Sequence, residues 1–494
     1  MNFLTQLFQV LFTPIGLAGV GVGLILVFIA RRSARMAWLL VSLGCFAASL
    51  AKFRNEFVLE PPALVFPLQQ LREMGRPLTI ALLGLLLILA WQRTTKGRGR
   101  SMPTPILFLI GVQLAIFLKT VLFGSPSFAT LAAATFGAVV VMINWGPSRW
   151  IMDEEGFYLA AWSMALVGLI FLAVNLYQAV FDLYAITFVK GRLVGTTGNP
   201  QHAATLLAAI LPAFIFLIEQ PAHHLRSRLL WLSGLALVLG ALYMTGSRTG
   251  VLMAITTVLF FYRQRVGLLL RIGLMAGLAL GVVIIVFNQN ALLVDLSLTN
   301  INDKLLSGTN SRDGIWAILW RNFQAYPLFG APLRGDRLMG YGESSWLGTA
   351  AAVGLVGLIP LLLFGLTALQ MMGRLVGIGQ KSRMLFLQSS MVISGLASLL
   401  FGSVFEAYLL GNLTFPIMAL LLYLALGHYV ITVGQYQSAP TVTPVRPSPT
   451  PGSAAHPAAP AVPAAAQTGR WTRPNLRPAM RPNRIKPAYR SQKL

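Results

Sequence analysis

Residues 158–180 read YLAAWSMALVGLIFLAVNLYQAV and carry no charged side chain. Because a helix needs roughly 20 mostly apolar residues to cross a bilayer, this stretch predicts a transmembrane helix. Similar apolar runs recur along the chain, near 14–30, 36–51, 77–91, 103–123, 126–143, 201–218, 229–245, 249–262, 266–287, 344–372, 384–402 and 412–434. The pattern predicts an all-α, polytopic transmembrane helical bundle of 12 or 13 spans. In the smaller count, the first 30 residues form a hairpin or interfacial segment.

The composition supports a lipid-embedded protein. Of 494 residues, 56% are hydrophobic and 11% are charged, whereas soluble domains carry roughly 25% charged residues. The net charge of +24 lies in short clusters between apolar runs and in the C-terminal tail, so we expect no nucleic-acid partner. The single Cys45 excludes internal disulfides and cysteine-rich metal sites. We expect neither a metal nor a cofactor.

The basic clusters predict the orientation of the chain. Thirteen spans put five basic clusters in cytoplasmic loops, as the positive-inside rule requires: 31–35, 93–100, 223–228, 263–265 and 374–383. The start of the chain is uncharged, which favours a retained helix over a cleaved signal peptide. The polar segments 52–76, 183–200, 246–248 and 288–343 then lie outside the cytoplasm. A loop as long as 288–343 is usually functional, so we expect function on that side.

The sequence predicts two domains. Residues 1–435 form the membrane domain, with 288–343 as its long non-cytoplasmic loop, and 436–494 form a Pro/Ala-rich basic cytoplasmic tail. From Ser438 the tail holds nine Lys or Arg and no acidic residue, so it cannot bury enough apolar surface to fold and is predicted to be disordered. It could lie near anionic membrane lipid or dock a cytoplasmic or assembly partner.

Three polar motifs fall on the non-cytoplasmic side. Residues 195–200 read GTTGNP, follow Lys190 and Arg192, and lead into a span that opens with Gln201 and His202. Glycines with Asn-Pro predict a turn that directs backbone N–H groups and a helix N-terminus at an anion near Arg192. An ordinary loop with a flanking charge is the alternative.

The second motif, TGSRTG at 245–250, joins two spans with almost no loop. An arginine costs about 2.5–3.5 kcal/mol at the centre of a membrane helix, so Arg248 must reach the interface or line a polar cavity. The predicted topology puts it on the same side as Arg192. The alternative is an arginine that extends its charge to the membrane edge.

The third motif lies in the long loop. The residues Asn310-Ser311-Arg312-Asp313 predict a serine-capped helix start, and Ile315, Trp316, Leu319 and Phe323 follow at helical spacing until Tyr326-Pro327. We expect an amphipathic helix along the outer surface, with Arg312 and Arg321 on its polar side. Arg334 and Arg337 follow it, and YGESSW at 341–346 leads into the next span.

The order of these motifs resembles the O-antigen ligase and polymerase family. The shared pattern comprises Arg192 to Pro200, Ser247-Arg248, Arg312 to Trp316 and the turn Pro327 to Gly330, within residues 185–430, a region that includes Glu406. The resemblance implies a metal-independent, inverting glycosyltransferase of the GT-C kind in the bacterial inner membrane. Such enzymes move a glycan from undecaprenyl diphosphate to an acceptor glycan at the periplasmic face during exopolysaccharide or O-antigen synthesis.

The resemblance also implies roles for individual residues. Arg192 and Arg248 match the arginines that hold the diphosphate, and we add Arg312 as a third candidate, with Arg321, Arg334 and Arg337 as other loop candidates. Guanidinium groups would stabilise the negative charge that grows on a leaving diphosphate.

The chain departs from ligases where the loop re-enters the membrane. Ligases place a histidine there, whereas this chain has Glu343-Ser344-Ser345-Trp346. The departure favours a polymerase over a ligase, with Glu343 as the catalytic base and His202 as the second candidate. Glu343 could instead pair with Arg334 or Arg337. Two other functions stay open, a transporter or flippase of lipid-linked oligosaccharide and a membrane scaffold, but the spans are almost free of charge and show no internal repeat.

Overall fold

The computed structural model describes residues 14–50, 62–92, 101–220, 225–265, 312–333, 343–410 and 413–436, together with Gly267 and Gly273. The helices are α1 (Pro14–Arg32), α2 (Ala34–Ser49), α3 (Leu68–Glu73), α4 (Gly75–Gln92), α5 (Thr104–Phe123), α6 (Pro126–Trp145), α7 (Pro147–Trp150), α8 (Glu154–Phe181), α9 (Tyr184–Thr187), α10 (Pro200–Glu219), α11 (Leu225–Met244), α12 (Arg248–Phe261), α13 (Asp313–Ala325), α14 (Ser345–Val353), α15 (Leu355–Gly379), α16 (Arg383–Phe405) and α17 (Phe415–Tyr436).

The predicted fold class is confirmed: the chain is an all-α, multi-pass membrane protein. Eight helices among the described residues are long and apolar enough to cross a bilayer, and three shorter apolar helices accompany them. Most predicted spans match a helix to within a few residues, for example 249–262 against Arg248–Phe261. Apart from Gly267 and Gly273, the predicted span 266–287 lies outside the described residues, as does the predicted tail beyond Tyr436, so the count of spans stays a prediction.

The helix α10 forms the centre of the bundle. It is buried along most of its length and packs against α8, α11, α12 and α16. The neighbouring helix α12 runs parallel to it: a Cβ on Gly250 would lie 2.6 Å from the Cβ of Ala204 near the two helix starts, and the Tyr262 hydroxyl donates to Glu219 at the two ends. Both helices therefore begin at the same end of the bundle, which we call the site end.

One predicted span is wrong, because it is not a single continuous helix. The run 344–372 forms two helices, α14 and α15, because Gly354 between them has a φ of 67°. A Cβ at Gly354 would lie 2.5 Å from the backbone carbonyl of Leu328, so a turn from the long loop occupies the space beside the break. The break thus accommodates a segment that contacts the bundle from the site end.

Candidate functional site

The GTTGNP segment forms the predicted turn ahead of α10. Gly195 has a φ of 55°, and a Cβ there would lie 2.7 Å from the Oδ1 of Asn175, so the turn needs glycine. The same Oδ1 accepts a hydrogen bond from the Thr196 N–H at 3.0 Å. Asn199 caps α10 by accepting from the Gln201 N–H at 2.8 Å. The turn is therefore fixed against α8 on one side and against α10 on the other.

Arg192 joins this turn to the second motif. Its Nε donates to the Thr245 carbonyl at 2.7 Å and its Nη2 to the Gly246 carbonyl at 3.3 Å. The Leu193 N–H also donates to the Met244 carbonyl at 2.8 Å. The side chain is half-buried, and burial lowers the pKa of Arg192 without removing its charge at neutral pH. The first two motifs, separate in sequence, thus share one structural unit.

Arg248 is the first residue of α12 and is half-buried. Ser247 precedes it and caps the helix, with its hydroxyl oxygen accepting from the Gly250 N–H at 3.3 Å. Since α10 and α12 start side by side, their two positive helix ends lie together, and Arg248 adds a full charge. This combination favours an anionic ligand at the site end.

Arg312 links the third motif to the other two. Its Nη1 donates to the Thr249 hydroxyl at 3.2 Å, one residue beyond Arg248, and its Nη2 donates to Glu406 Oε1 at 2.7 Å. Its Nε donates to Glu343 Oε2 at 3.2 Å. The expectation that Arg312 lies on the polar side of the helix is wrong, because it is only 9% exposed. The two carboxylates offset part of the desolvation cost of burying this charge.

Glu406, just beyond the end of α16, is the second buried member of this cluster. It is 7% exposed. Burial raises the pKa of Glu406 to about 7, Arg312 opposes this shift by stabilising the carboxylate, and the nearby Glu343 adds to it. The Glu406 carbonyl also accepts from the Ser345 N–H and hydroxyl, at 3.2 and 2.6 Å, at the start of α14. The backbone of Glu406 therefore holds the start of α14 beside Arg312.

Glu343 is the more accessible carboxylate, with its side chain 35% exposed. Its Oε1 makes no hydrogen bond to a described residue. The Trp316 indole donates to the Glu343 carbonyl at 3.4 Å, and the indole stacks on Phe405 with ring centroids 5.8 Å apart. The alternative pairing with Arg334 or Arg337 falls outside the described residues, and the partner that the structure shows is Arg312.

The remaining candidates are more dispersed. His202 lies in the first turn of α10, is exposed and makes no hydrogen bond to a described residue. Arg321 is exposed on α13, and among the described residues its Nε donates to the Ala317 carbonyl of the same helix. Ser311, the predicted helix cap, lies outside the described residues, and Arg312 occupies the position before α13 without a side-chain cap. No group of three metal-ligating side chains occurs within the described residues.

Two members of the cluster were not predicted as site residues. Thr249 follows Arg248 directly and could have been inferred from a polar side chain at the start of a span. Glu406 has a stronger signal, because it is a single carboxylate directly after an apolar run. Its pairing with Arg312, 94 residues away, could not be read from the sequence.

No protein-family model matches the chain, and a comparison with curated proteins finds no match. The function must therefore be argued from the site itself.

Proposed function

We propose that the protein is a metal-independent, inverting glycosyltransferase that acts on glycans carried by undecaprenyl diphosphate. In this reaction the bond between the sugar C1 and the diphosphate oxygen breaks, and the diphosphate leaves with both electrons. An acceptor-sugar hydroxyl forms the new bond to C1 and gives its proton to a base. The setting is the periplasmic face of a bacterial inner membrane, during synthesis of exopolysaccharide or O-antigen.

The observation that carries this proposal is the linkage of three distant motifs into one cluster. Arg192 bonds to the carbonyls of Thr245 and Gly246, and Arg312 bonds to Thr249. Arg192, Arg248 and two adjacent helix N-termini thus lie within one continuous set of contacts. Preorganised positive groups of this kind stabilise the charge that develops on a leaving diphosphate, which supports phosphate-linked donor chemistry.

In the proposed reaction, the carboxylate of Glu343 accepts the proton of the acceptor hydroxyl. Glu343 has one oxygen held by Arg312 and a side chain that is 35% exposed, an arrangement that suits an oriented and accessible base. The guanidinium keeps the carboxylate in place, and the acceptor hydroxyl donates its proton to the carboxylate held there. Glu406 is more deeply buried and acts through Arg312, as a positioning residue.

A polymerase fits better than a ligase, because Glu343 stands where ligases place a histidine. The genetic test is to delete the gene and analyse the lipid-linked intermediates. A polymerase predicts accumulation of single lipid-linked repeat units, whereas a ligase predicts full-length lipid-linked polymer that is not transferred. Loss of all periplasmic repeats, with intact repeats retained in the cytoplasmic leaflet, would instead identify a flippase and overturn the proposal.

Complementation of the deletion with variants tests the role of individual residues in the cluster. Complementation with Arg192→Ala should leave the deletion phenotype in place, because the diphosphate loses a charge-assisted contact. Arg226→Ala is a matched control, because Arg226 is exposed at the start of α11, the opposite end of that helix from the cluster. It should restore polymer at the same protein level.

A further inference from the structure

A turn in the long loop exposes large apolar side chains although it belongs to a segment predicted to lie in water. We call residues 326–330 the Pro327 turn. Its Leu328 is 60% exposed and its Phe329 66% exposed, and Tyr326 is exposed beside them. Three adjacent apolar or aromatic side chains form a patch that a water-facing loop would normally avoid.

The backbone of the turn is fixed to the membrane helices. The ammonium group of Lys119, a buried side chain of α5, donates to the carbonyls of Phe329 and Gly330 at 2.8 and 3.1 Å. The Leu355 N–H, at the first residue of α15, donates to the Pro327 carbonyl at 2.8 Å. A buried lysine and a helix start thus both hold the turn in one position.

These contacts set the depth of the turn. Helix α15 has 25 residues and at 1.5 Å per residue is about 37 Å long, slightly more than the roughly 30 Å hydrocarbon core. A helix of this length that is centred in the bilayer has its first residue at the edge of that core. Lys119 is four residues before the end of α5, so it lies about 6 Å from that helix end. Both measures put the Pro327 turn at the boundary between acyl chains and headgroups.

The exposed patch is continuous with the lipid-facing surface of the bundle. The Lys119 ammonium lies 5.2 Å from the centre of the Phe123 ring, and Phe123 is exposed at the end of α5. The Val356 N–H donates to the Leu328 carbonyl at 3.3 Å, and the Val356 side chain is exposed on α15. Since spanning helices turn such side chains towards lipid, Leu328 and Phe329 extend the same surface.

We propose that the Pro327 turn inserts Leu328 and Phe329 into the lipid leaflet at the site end of the bundle. The partner is the acyl region of the membrane that the bundle spans, and Tyr326 lies at the headgroup level, where aromatic side chains are enriched. The insertion holds the described part of the loop, residues 312–333, at the membrane surface. The inference depends on the membrane-spanning fold and not on the proposed glycosyltransferase activity.

The test uses the full chain with single cysteines as probe sites. Cys45 is the only cysteine and is buried, so Cys45→Ser gives a background for Leu328→Cys and Phe329→Cys. Gln324→Cys is the matched control, because Gln324 is a polar residue exposed on the same helix face as Arg321. Each variant is labelled with a small fluorescent thiol reagent and reconstituted into vesicles with or without phosphatidylcholine brominated near the carbonyl end of its acyl chains.

The expected result is that brominated lipid quenches the probes at 328 and 329 at least about twofold more than the probe at 324, as insertion into the interface requires. Aqueous iodide should give the reverse order. Equal iodide quenching at all three sites would show a water-facing turn and overturn the proposal. Protection of 328 and 329 from both quenchers would show that protein covers them, from the loop or a second copy, and would also overturn it.

Discussion

Replacement of Arg312 by methionine tests the ion-pair cluster that links the motifs. In Arg312→Met, methionine keeps a long side chain at this position but cannot donate the hydrogen bonds to Glu406, Glu343 and Thr249. Removal of one partner of a buried ion pair costs about 3–5 kcal/mol, because the remaining charge is left without compensation. The bond to Glu343 contributes little to this figure, because that side chain is 35% exposed and solvent screens it.

The pH dependence distinguishes a lost ion pair from a general packing defect. The pKa of Glu406 is raised from 4.5 to about 7 in the folded protein. A raised carboxyl pKa means that ionisation favours the unfolded state, so stability falls as pH rises between these values. The shift corresponds to about 3 kcal/mol at about 1.4 kcal/mol per pKa unit. Arg312 lowers this pKa, so without it the value rises further, and the loss of stability continues to grow above neutral pH.

Arg312→Met should therefore destabilise the protein only slightly at a pH near 5.5, where Glu406 is neutral in both proteins, and strongly near 8.5. The assay is unfolding of purified protein in nanodiscs, followed by tryptophan fluorescence at both pH values. Arg312→Met with Glu406→Gln should recover much of the loss, since no buried charge remains. Arg321→Met is the control for an exposed arginine. A destabilisation that is equal at both pH values and unchanged by Glu406→Gln would refute the ion-pair account.

Arg192→Ala and Arg248→Ala should each abolish polymer formation while the protein still accumulates in the membrane, since each loses a contact worth several kcal/mol in the transition state; near-normal polymer from both would remove these arginines from the mechanism. Lysine at either position should restore little activity, because an ammonium lacks the planar fork of a guanidinium. Glu343→Gln should reduce turnover by roughly 100- to 10,000-fold if Glu343 is the base, whereas full activity would make His202→Ala the next variant. In intact cells, a cysteine at Gln324 should react with an impermeant thiol reagent and one at Arg226 should not; the reverse pattern would invert the topology.

The sequence predicts the helices well because membrane spans are determined by local hydrophobicity. The run 384–402 corresponds to Arg383–Phe405, and the run 249–262 corresponds to Arg248–Phe261. The break at Gly354 was not predicted, because it depends on a backbone approach from Leu328 that no local pattern encodes. A local pattern is sufficient to predict a helix, but not to predict which segments pack beside that helix.

In the candidate site, too, local signals predict some features, and contacts between distant parts of the chain determine the others. The turn at 195–200 and the arginine at the start of α12 follow from glycine, asparagine and serine at fixed positions, and all three are local signals. The burial of Arg312 does not follow from local signals. Amphipathic spacing assigns Arg312 to the polar face of the helix, whereas in the structure it is buried in the bundle and paired with Glu406. At this position a charge pair between residues 94 apart in sequence overrides the helical periodicity.

The most direct test of the glycosyltransferase proposal is a reaction with purified components. The protein is reconstituted into vesicles with undecaprenyl diphosphate-linked repeat units in the presence of EDTA, and both glycan length and released undecaprenyl diphosphate are measured. The account predicts longer glycans, one released carrier for each bond formed, inversion at the new linkage, and loss of all three in Arg192→Ala. Repeat units that cross the bilayer without any new glycosidic bond would contradict it and identify a transporter.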